Sequence, residues 1–176
     1  CGPTEYEVKA YTATSDRVCA SHTQCNALRH WESRAATPSS DRLCSQCPPG
    51  HKCDGKIKQQ CSRGRYQEGT DGDLTSCKAC NKGHYAPDEG QDHCDGCPKG
   101  FFQNSVGKPG CKECYAGDYA DITGLSTCKS CDKGKFTDTR GSQECDSCDK
   151  GKYAPNTGAS SCAACDVGQF AATTGQ

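Results

Sequence analysis

Large apolar side chains are scarce in this sequence: four Leu, two Ile, four Val and four Phe make fourteen of 176 residues, and Met is absent. Fixing one residue's backbone costs roughly 1–2 kcal/mol. Fourteen such side chains cannot offset that cost over this length, which excludes an ordinary globular core. A charge excess is missing too, since 21 Lys and Arg stand against 22 Asp and Glu for a net −1. Disorder through self-repulsion goes with high net charge, and a nucleic-acid partner needs a basic stripe, so neither class fits. No run approaches the roughly 18 apolar residues of a membrane span, which argues against membrane insertion, and residues 1–20 lack the apolar stretch of a signal peptide.

Cysteine is what the sequence has instead. Nineteen Cys, about 11% of the chain, accompany 20 Gly, and that density marks a disulfide scaffold. A cytosolic chain so rich in thiols would be kept reduced, so the expectation is an extracellular or cell-surface location, with any leader cleaved or lying upstream.

A strict internal period organises these residues. Cys-x-x-Cys pairs occur at 77/80, 94/97, 111/114, 128/131, 145/148 and 162/165, always 17 residues apart. Counted from the second Cys of a pair, each unit reads Cys, Gly at +3, an aromatic at +5, Gly at +10 and Cys at +14, as in Cys80, Gly83, Tyr85, Gly90 and Cys94. The units opening at Cys97, Cys114, Cys131 and Cys148 repeat it, and Cys165 opens another with Gly168, Phe170 and Gly175. The register places further Cys at about positions 179 and 182. Cys61, Gly64 and Tyr66 begin a looser unit that reaches Cys77 after 16 residues, and Cys47, Gly50 and Cys61 keep the 14-residue interval with Cys53 inserted. A longer period governs the start, where Tyr11-Thr-Ala-Thr-Ser-Asp-Arg-Val-Cys19 recurs 25 residues on as Ala36-Thr-Pro-Ser-Ser-Asp-Arg-Leu-Cys44. The chain therefore divides into 1–46 with the 25-residue spacing, a transitional repeat over 47–79, and tandem 17-residue repeats over 80–176.

Each short unit reads as a small irregular hairpin: a Gly turn, two or three strand-competent residues around the aromatic, a second Gly turn, and a return to the closing Cys. Helix is excluded by the glycine frequency and by the lack of any i, i+3, i+4 apolar pattern. The predicted fold is an elongated, disulfide-rich tandem array of such hairpins, with each ring sheltering against a neighbouring cystine.

Zinc is the rival use of paired cysteines. Six pairs would make three four-cysteine sites, but enclosed and linking gaps should then differ, and the gaps at 81–93 and 98–110 carry the same Gly, aromatic, Gly pattern. Zinc would also leave Cys1, Cys19, Cys25, Cys44, Cys47, Cys53 and Cys61 without a common scheme, and no pair opens a helix as a redox motif would. For disulfides, equivalent repeats require a uniform scheme. The favoured one closes each loop on itself, Cys80 with Cys94, Cys97 with Cys111, Cys114 with Cys128, Cys131 with Cys145 and Cys148 with Cys162, leaving Cys165 over; the alternative links pairs first-to-first and second-to-second. Around the transition, the 14-residue interval favours Cys47 with Cys61 and Cys53 with Cys77, against Cys47 with Cys53 and Cys61 with Cys77.

Cys, Gly at +3, aromatic at +5 and a closing Cys-x-x-Cys resembles the first loop of tumour necrosis factor receptor-type cysteine-rich repeats and of the related ephrin-receptor-like repeats. Cys44-Ser-Gln-Cys47-Pro-Pro-Gly50-His-Lys-Cys53 is similar to the latter. The first 44 residues look like a receptor-type repeat in which His22 stands where the middle Cys of a Cys-x-x-Cys-x-x-Cys would fall, and that analogy implies Cys1 with Cys19 and Cys25 with Cys44. Such modules occur in signalling receptors, matrix proteins and surface proteins, so the resemblance specifies architecture better than function.

No catalytic set emerges. His22, His30, His51, His84 and His93 are scattered along the sequence and are expected at the surface, and Asp71-Gly-Asp73 reads as a turn in preference to a calcium loop. No metal or cofactor is expected. Asn81-Lys82, Asp132-Lys133 and Asp149-Lys150 recur with the period and form a charged stripe, a solvated face or a surface for lateral docking by opposite charges. Tyr6, Trp31 and Tyr66 read as packing residues. Only loops 26–43, with Trp31 and Arg34, and 54–76 break the repetition. There is no Asn-x-Ser/Thr site, although the Thr/Ser clusters at 12–15 and 37–40 offer O-linked acceptors. The expectation is a non-enzymatic extracellular structural protein, a stapled rod segment of a filament, stalk or matrix, whose partners are other extracellular proteins including copies of itself. The alternative is a receptor's ligand-binding ectodomain.

Overall fold

The computed structural model describes residues 1–69 and 72–175. Among them there is no helix, and eighteen short strands form nine two-stranded sheets. The tandem array of small hairpins predicted from the glycine and cysteine spacing is what the chain builds. Backbone contacts divide it into two units: Cys1–Ser62, Tyr66–Lys78 and Glu89–His93 form the first, and Arg63–Arg65, Ala79–Asp88 and Cys94 onward form the second.

In the first unit β1 (Glu5–Lys9) pairs with β2 (Val18–Ser21), and β3 (His30–Arg34) with β4 (Leu43–Gln46), all antiparallel. The 25-residue period is structural. Register shifts fall between Glu7 and Lys9 and again between Glu32 and Arg34, and the turns are closed by equivalent bridges, Thr12 to Ser15 and Thr37 to Ser40. In each turn the two hydroxyls lie 2.7 Å apart. β5 (His51–Cys53) and β6 (Lys58–Gln60) follow; β7 (Arg65–Tyr66) pairs with β8 (Lys78–Ala79) where the chain passes from the first unit's residues to the second's. Cys47, Cys53 and Leu74 are fully buried together, and Trp31 covers them.

The second unit repeats one element: β9 (His84–Tyr85) with β10 (Asp95–Gly96), β11 (Phe101–Phe102) with β12 (Lys112–Glu113), β13 (Asp118–Tyr119) with β14 (Lys129–Ser130), β15 (Lys135–Phe136) with β16 (Asp146–Ser147), and β17 (Lys152–Tyr153) with β18 (Ala163–Ala164). The ring at +5 always stands across from position +15, as Tyr119 does from Lys129.

Two-residue strands cannot hold themselves; here backbone hydrogen bonds between repeats supply what side chains do not. The Gly +3 amide donates to the +6 carbonyl of the next repeat (Gly83 to Gln103, Gly100 to Ala120, Gly117 to Thr137), and the next Cys amide returns to the Gly carbonyl (Cys97 to Gly83, Cys114 to Gly100). The Gly +10 amide reaches back to the previous repeat's Cys carbonyl, as Gly107 does to Cys80 and Gly124 to Cys97. Contact extends two repeats on. Gly83 has φ +80°, and a Cβ there would lie 2.1 Å from the Gly124 carbonyl oxygen. Glycine is required at this position both by conformation and by the approach of another backbone.

Burial follows this backbone interlock. Cys80, Cys97, Cys114, Cys131 and Cys148 are completely buried, and so are Ala86 and Ala120 at +6, whereas the rings Tyr85, Phe102, Tyr119, Phe136 and Tyr153 are only half-buried and Phe170 is exposed. The sheltered residue of each repeat is thus the one after the aromatic. Where +6 is larger and polar, its own loop satisfies it: Gln103 Nε2 donates to the Gly110 carbonyl at 2.6 Å and Gln67 Nε2 to that of Ser76 at 2.8 Å.

Nine disulfides staple the array. Cys1 joins Cys19 and Cys25 joins Cys44; in the second unit Cys80–Cys94, Cys97–Cys111, Cys114–Cys128, Cys131–Cys145 and Cys148–Cys162 each enclose the 14-residue interval. Around the transition the structure corrects the expectation. Cys47 bonds Cys53 and Cys61 bonds Cys77, not Cys47 to Cys61 and Cys53 to Cys77. The Pro48-Pro49-Gly50 turn reverses the chain, so β5 carries Cys53 back beside Cys47, and the Cys53 amide is fixed by the Leu74 carbonyl at 2.9 Å. What is kept is the role of closing a repeat, from Cys61 to the next pair at Cys77, and not the count of 14. Cys165 has no disulfide partner among the described residues.

Candidate functional site

The five histidines are scattered along the chain, and His84 and His93 share the loop enclosed by Cys80–Cys94. His51 Nδ1 lies 3.0 Å from the Pro49 carbonyl, His84 Nδ1 lies 3.3 Å from that of Lys82, and His93 meets the carboxylate of Asp92. That contact holds the Asp92 carboxyl below its ordinary range. The expectation of surface histidines fails at His22, whose side chain is only 9% exposed. It stacks on Tyr6 at 5.4 Å between ring centroids, because the short strands β1 and β2 bring the two rings to the same face of their hairpin.

No group of three or more His, Cys, Asp or Glu side chains among the described residues is arranged to hold a metal ion. Asp71 lies outside the described residues. Its neighbour Asp73 accepts hydrogen bonds from the Thr75 hydroxyl at 2.6 Å and the Thr75 amide at 2.8 Å, which lower its pKa and occupy it in a turn. No described helix is long and apolar enough to cross a membrane.

The stripe residues Asn81, Lys82, Asp132, Lys133, Asp149 and Lys150 are all exposed. Lysines also lie over two of the rings: Lys78 over Tyr66 at 5.9 Å in the first unit, and Lys129 over Tyr119 at 6.0 Å in the second. Lys129 also pairs with Asp121 at 2.8 Å, which lowers the pKa of Asp121 and raises its own. Lys99, Tyr119, Asp121, Asp132, Lys135 and Glu144 line an open groove of about 450 Å³ in the second unit.

Of the two irregular loops, 26–43 gives Trp31 to packing: it covers the Cys47, Cys53 and Leu74 cluster and carries Lys58 Nζ 4.7 Å from its ring centroid. Loop 54–76 contains Thr70 and Asp71, outside the described residues; elsewhere in it the amides of Ile57 and Lys56 bond the Asp54 carboxylate and lower its pKa.

A cleft separates the first two repeats. Residues of the first (Glu5, Glu7, Arg17, His22) face Pro38 and Arg42 of the second across a cleft of about 450 Å³. The Glu7 amide donates to the Pro38 carbonyl at 2.7 Å and fixes the two walls. Beside the cleft, Asp41 accepts from the Thr23 hydroxyl, the Thr23 amide at 2.9 Å and the Arg42 amide at 2.8 Å. The Thr23 hydroxyl is the largest cause of its low pKa, about 2. Asp41 Oδ1 lies 3.5 Å from His22 Nδ1. His22 Nδ1 and Arg42 Nε are both enclosed and both lack a hydrogen-bond partner. Sequence reasoning singled out His22 as a displaced cysteine but missed Arg42, since nothing in its spacing separates it from Arg17 in the matching motif.

Four overlapping segments, residues 70–107, 83–124, 117–165 and 140–176, match a protein-family model described as "tyrosine-protein kinase ephrin type A/B receptor-like". The Cys44-to-Cys53 stretch lies outside the matched segments. Among curated proteins none matches the chain.

Proposed function

This chain belongs to the ephrin type A/B receptor-like family of cysteine-rich repeats, and from that premise we propose that it is a non-catalytic structural segment of an extracellular or cell-surface filament, stalk or matrix. Nine disulfides require an oxidising compartment to form and persist. The observation that carries the reading is the recurrence of one set of inter-repeat backbone bonds through the second unit. Each repeat presents the same donors and acceptors to the next, so adding repeats adds length without adding a new surface. Lateral docking through the exposed Asp and Lys stripe would join such segments to copies of themselves or to other extracellular proteins.

Sedimentation of the native protein, extracted without reductant or denaturant, tests this. Particles many times the 18.7 kDa of this chain are expected, and a monodisperse monomer that no extracellular partner enlarges would refute it. The alternative, a ligand-binding receptor ectodomain, is favoured by one feature, the cleft between the first two repeats, whose lining residues lie outside the 17-residue pattern.

A further inference from the structure

We propose that this chain is a tension-bearing tether of limited extension, in which pull runs through the cystines and parts only the contacts between repeats. The proposal rests on the structural reading for the source of the pull; the mechanical response belongs to the chain itself.

The bridged loops follow one another along the sequence, Cys1–Cys19, Cys25–Cys44, Cys47–Cys53, Cys61–Cys77 and then the five loops of the second unit, and none overlaps the next. Tension applied to the two ends therefore crosses every bridge in turn, and roughly three-quarters of the chain lies inside loops that it bypasses. In the second unit each crossing is 5.8 Å between Cα atoms and replaces a separation of 14 residues. At roughly 3.4 Å per residue, each of these bridges withholds about 42 Å from extension. What stays in the path is the pair of residues between consecutive bridges, and these pairs are already strands. β10 joins Cys94 to Cys97, β12 joins Cys111 to Cys114, and β14 and β16 repeat the arrangement. Little slack is stored there.

The junctions between repeats are what can part. Four backbone bonds cross from the repeat opening at Cys97 to the one opening at Cys114. The Gly100 amide donates to the Ala120 carbonyl at 2.9 Å, Cys114 to Gly100 at 2.9 Å, Gln103 to Leu125 at 3.1 Å and Gly124 to Cys97 at 2.8 Å. The same set joins the following pair, as Gly117 to Thr137, Cys131 to Gly117, Ala120 to Ser142 and Gly141 to Cys114. Hydrogen bonds of this kind contribute little apiece, and a disulfide is covalent, so the junctions yield first. Gly100, Gln103, Ala120, Gly124 and Leu125 all lie inside bridged loops, so their own backbone is not stretched when a junction parts. Each loop keeps its ends 5.8 Å apart and can rejoin its neighbour when tension falls, without the loop closure that an unbridged chain must repeat.

The test is single-molecule force spectroscopy on the full oxidised chain, held by handles at its two ends. Fully stretched, it should reach about 210 Å with every bridge closed and about 600 Å in reductant. Extension of the oxidised chain should recover over repeated cycles, and that of the reduced chain should not. Cys114→Ser combined with Cys128→Ser should add about 42 Å to the oxidised limit. Gly100→Ala, whose Cβ would lie 2.0 Å from the Gly141 carbonyl oxygen, should lower the force at which extension begins and leave the limit unchanged. An oxidised limit near the reduced one, a limit indifferent to the paired serine substitutions, a Gly100→Ala curve that matches the unsubstituted chain, or extension that fails to recover with bridges intact would overturn the proposal. These curves decide the tether whether or not native material sediments as large particles, so the two readings fail separately.

Discussion

Gly83→Ala is the substitution that asks most of the inter-repeat packing. The methyl meets two separate obstacles. Gly83 has φ +80°, which for an L residue costs roughly 1–2 kcal/mol. The new Cβ would also lie 2.1 Å from the Gly124 carbonyl oxygen and 2.9 Å from its carbon, and backbone at that distance cannot rotate aside. Relief requires the repeats to part, at the expense of the Gly83-to-Gln103, Cys97-to-Gly83 and Gly124-to-Cys97 bonds, which are 2.7, 2.8 and 2.8 Å long. At roughly 1 kcal/mol per bond, the total with the conformational cost is about 4–5 kcal/mol. Gly124→Ala is the internal control, because φ is +77° but the nearest atom to its Cβ is His84 Cε1 at 3.8 Å, so only the conformational cost of roughly 1–2 kcal/mol applies. Native-state amide exchange with disulfides intact reads both, at the Gly83, Cys97 and Gly124 amides. Protection should fall by two or more orders of magnitude in Gly83→Ala and by about one in Gly124→Ala. Equal, mild losses in the two variants would refute the claim that backbone approach two repeats away holds the array.

Asp41 gives a pH prediction whose sign follows from its depressed pKa. Its stabilising contribution is present above the unfolded value of 3.8 and is lost as pH falls towards about 2; acid titration of stability should therefore show a loss across that window that Asp41→Asn removes. Reduction should leave a disordered chain, because Leu74 is the one large aliphatic side chain buried among the described residues and the rest of the burial is cysteine, alanine and polar +6 residues; a cooperative thermal transition in reduced protein would contradict this. Removing the Cys47–Cys53 bridge, with its separation of 6, should destabilise by roughly 0.7 kcal/mol less than removing Cys80–Cys94, with its separation of 14, in the chain-entropy model. Urea denaturation of the double Ser variants checks the order.

Much of the second unit was legible because the 17-residue period fixes both ends of every hairpin and the glycines fix its turns. The unread features depend on what meets what across repeats. Position +6 holds Gln67, Ala86, Gln103, Ala120, Thr137 and Ala154, residues with no common hydrophobic signal, yet all six are buried because their carbonyls accept the Gly amide of the preceding repeat. The rings drew attention by size and remain half-exposed. Counting residues misassigned Cys47 and Cys53, since a Pro-Pro-Gly reversal sets distance in space independently of interval in sequence. His22 was visible as a substitution at a cysteine position; its stacking on Tyr6 and its burial against the second repeat come from the pairing of β1 with β2 and the approach of Asp41.

The structural role itself is tested most directly by immunogold electron microscopy of native surface material, using an antibody raised against the second unit. Label in a regular series along filaments, stalks or matrix fibres is the predicted result. Label scattered singly over the cell membrane, with no assembly beneath it, would contradict the account and favour a receptor ectodomain.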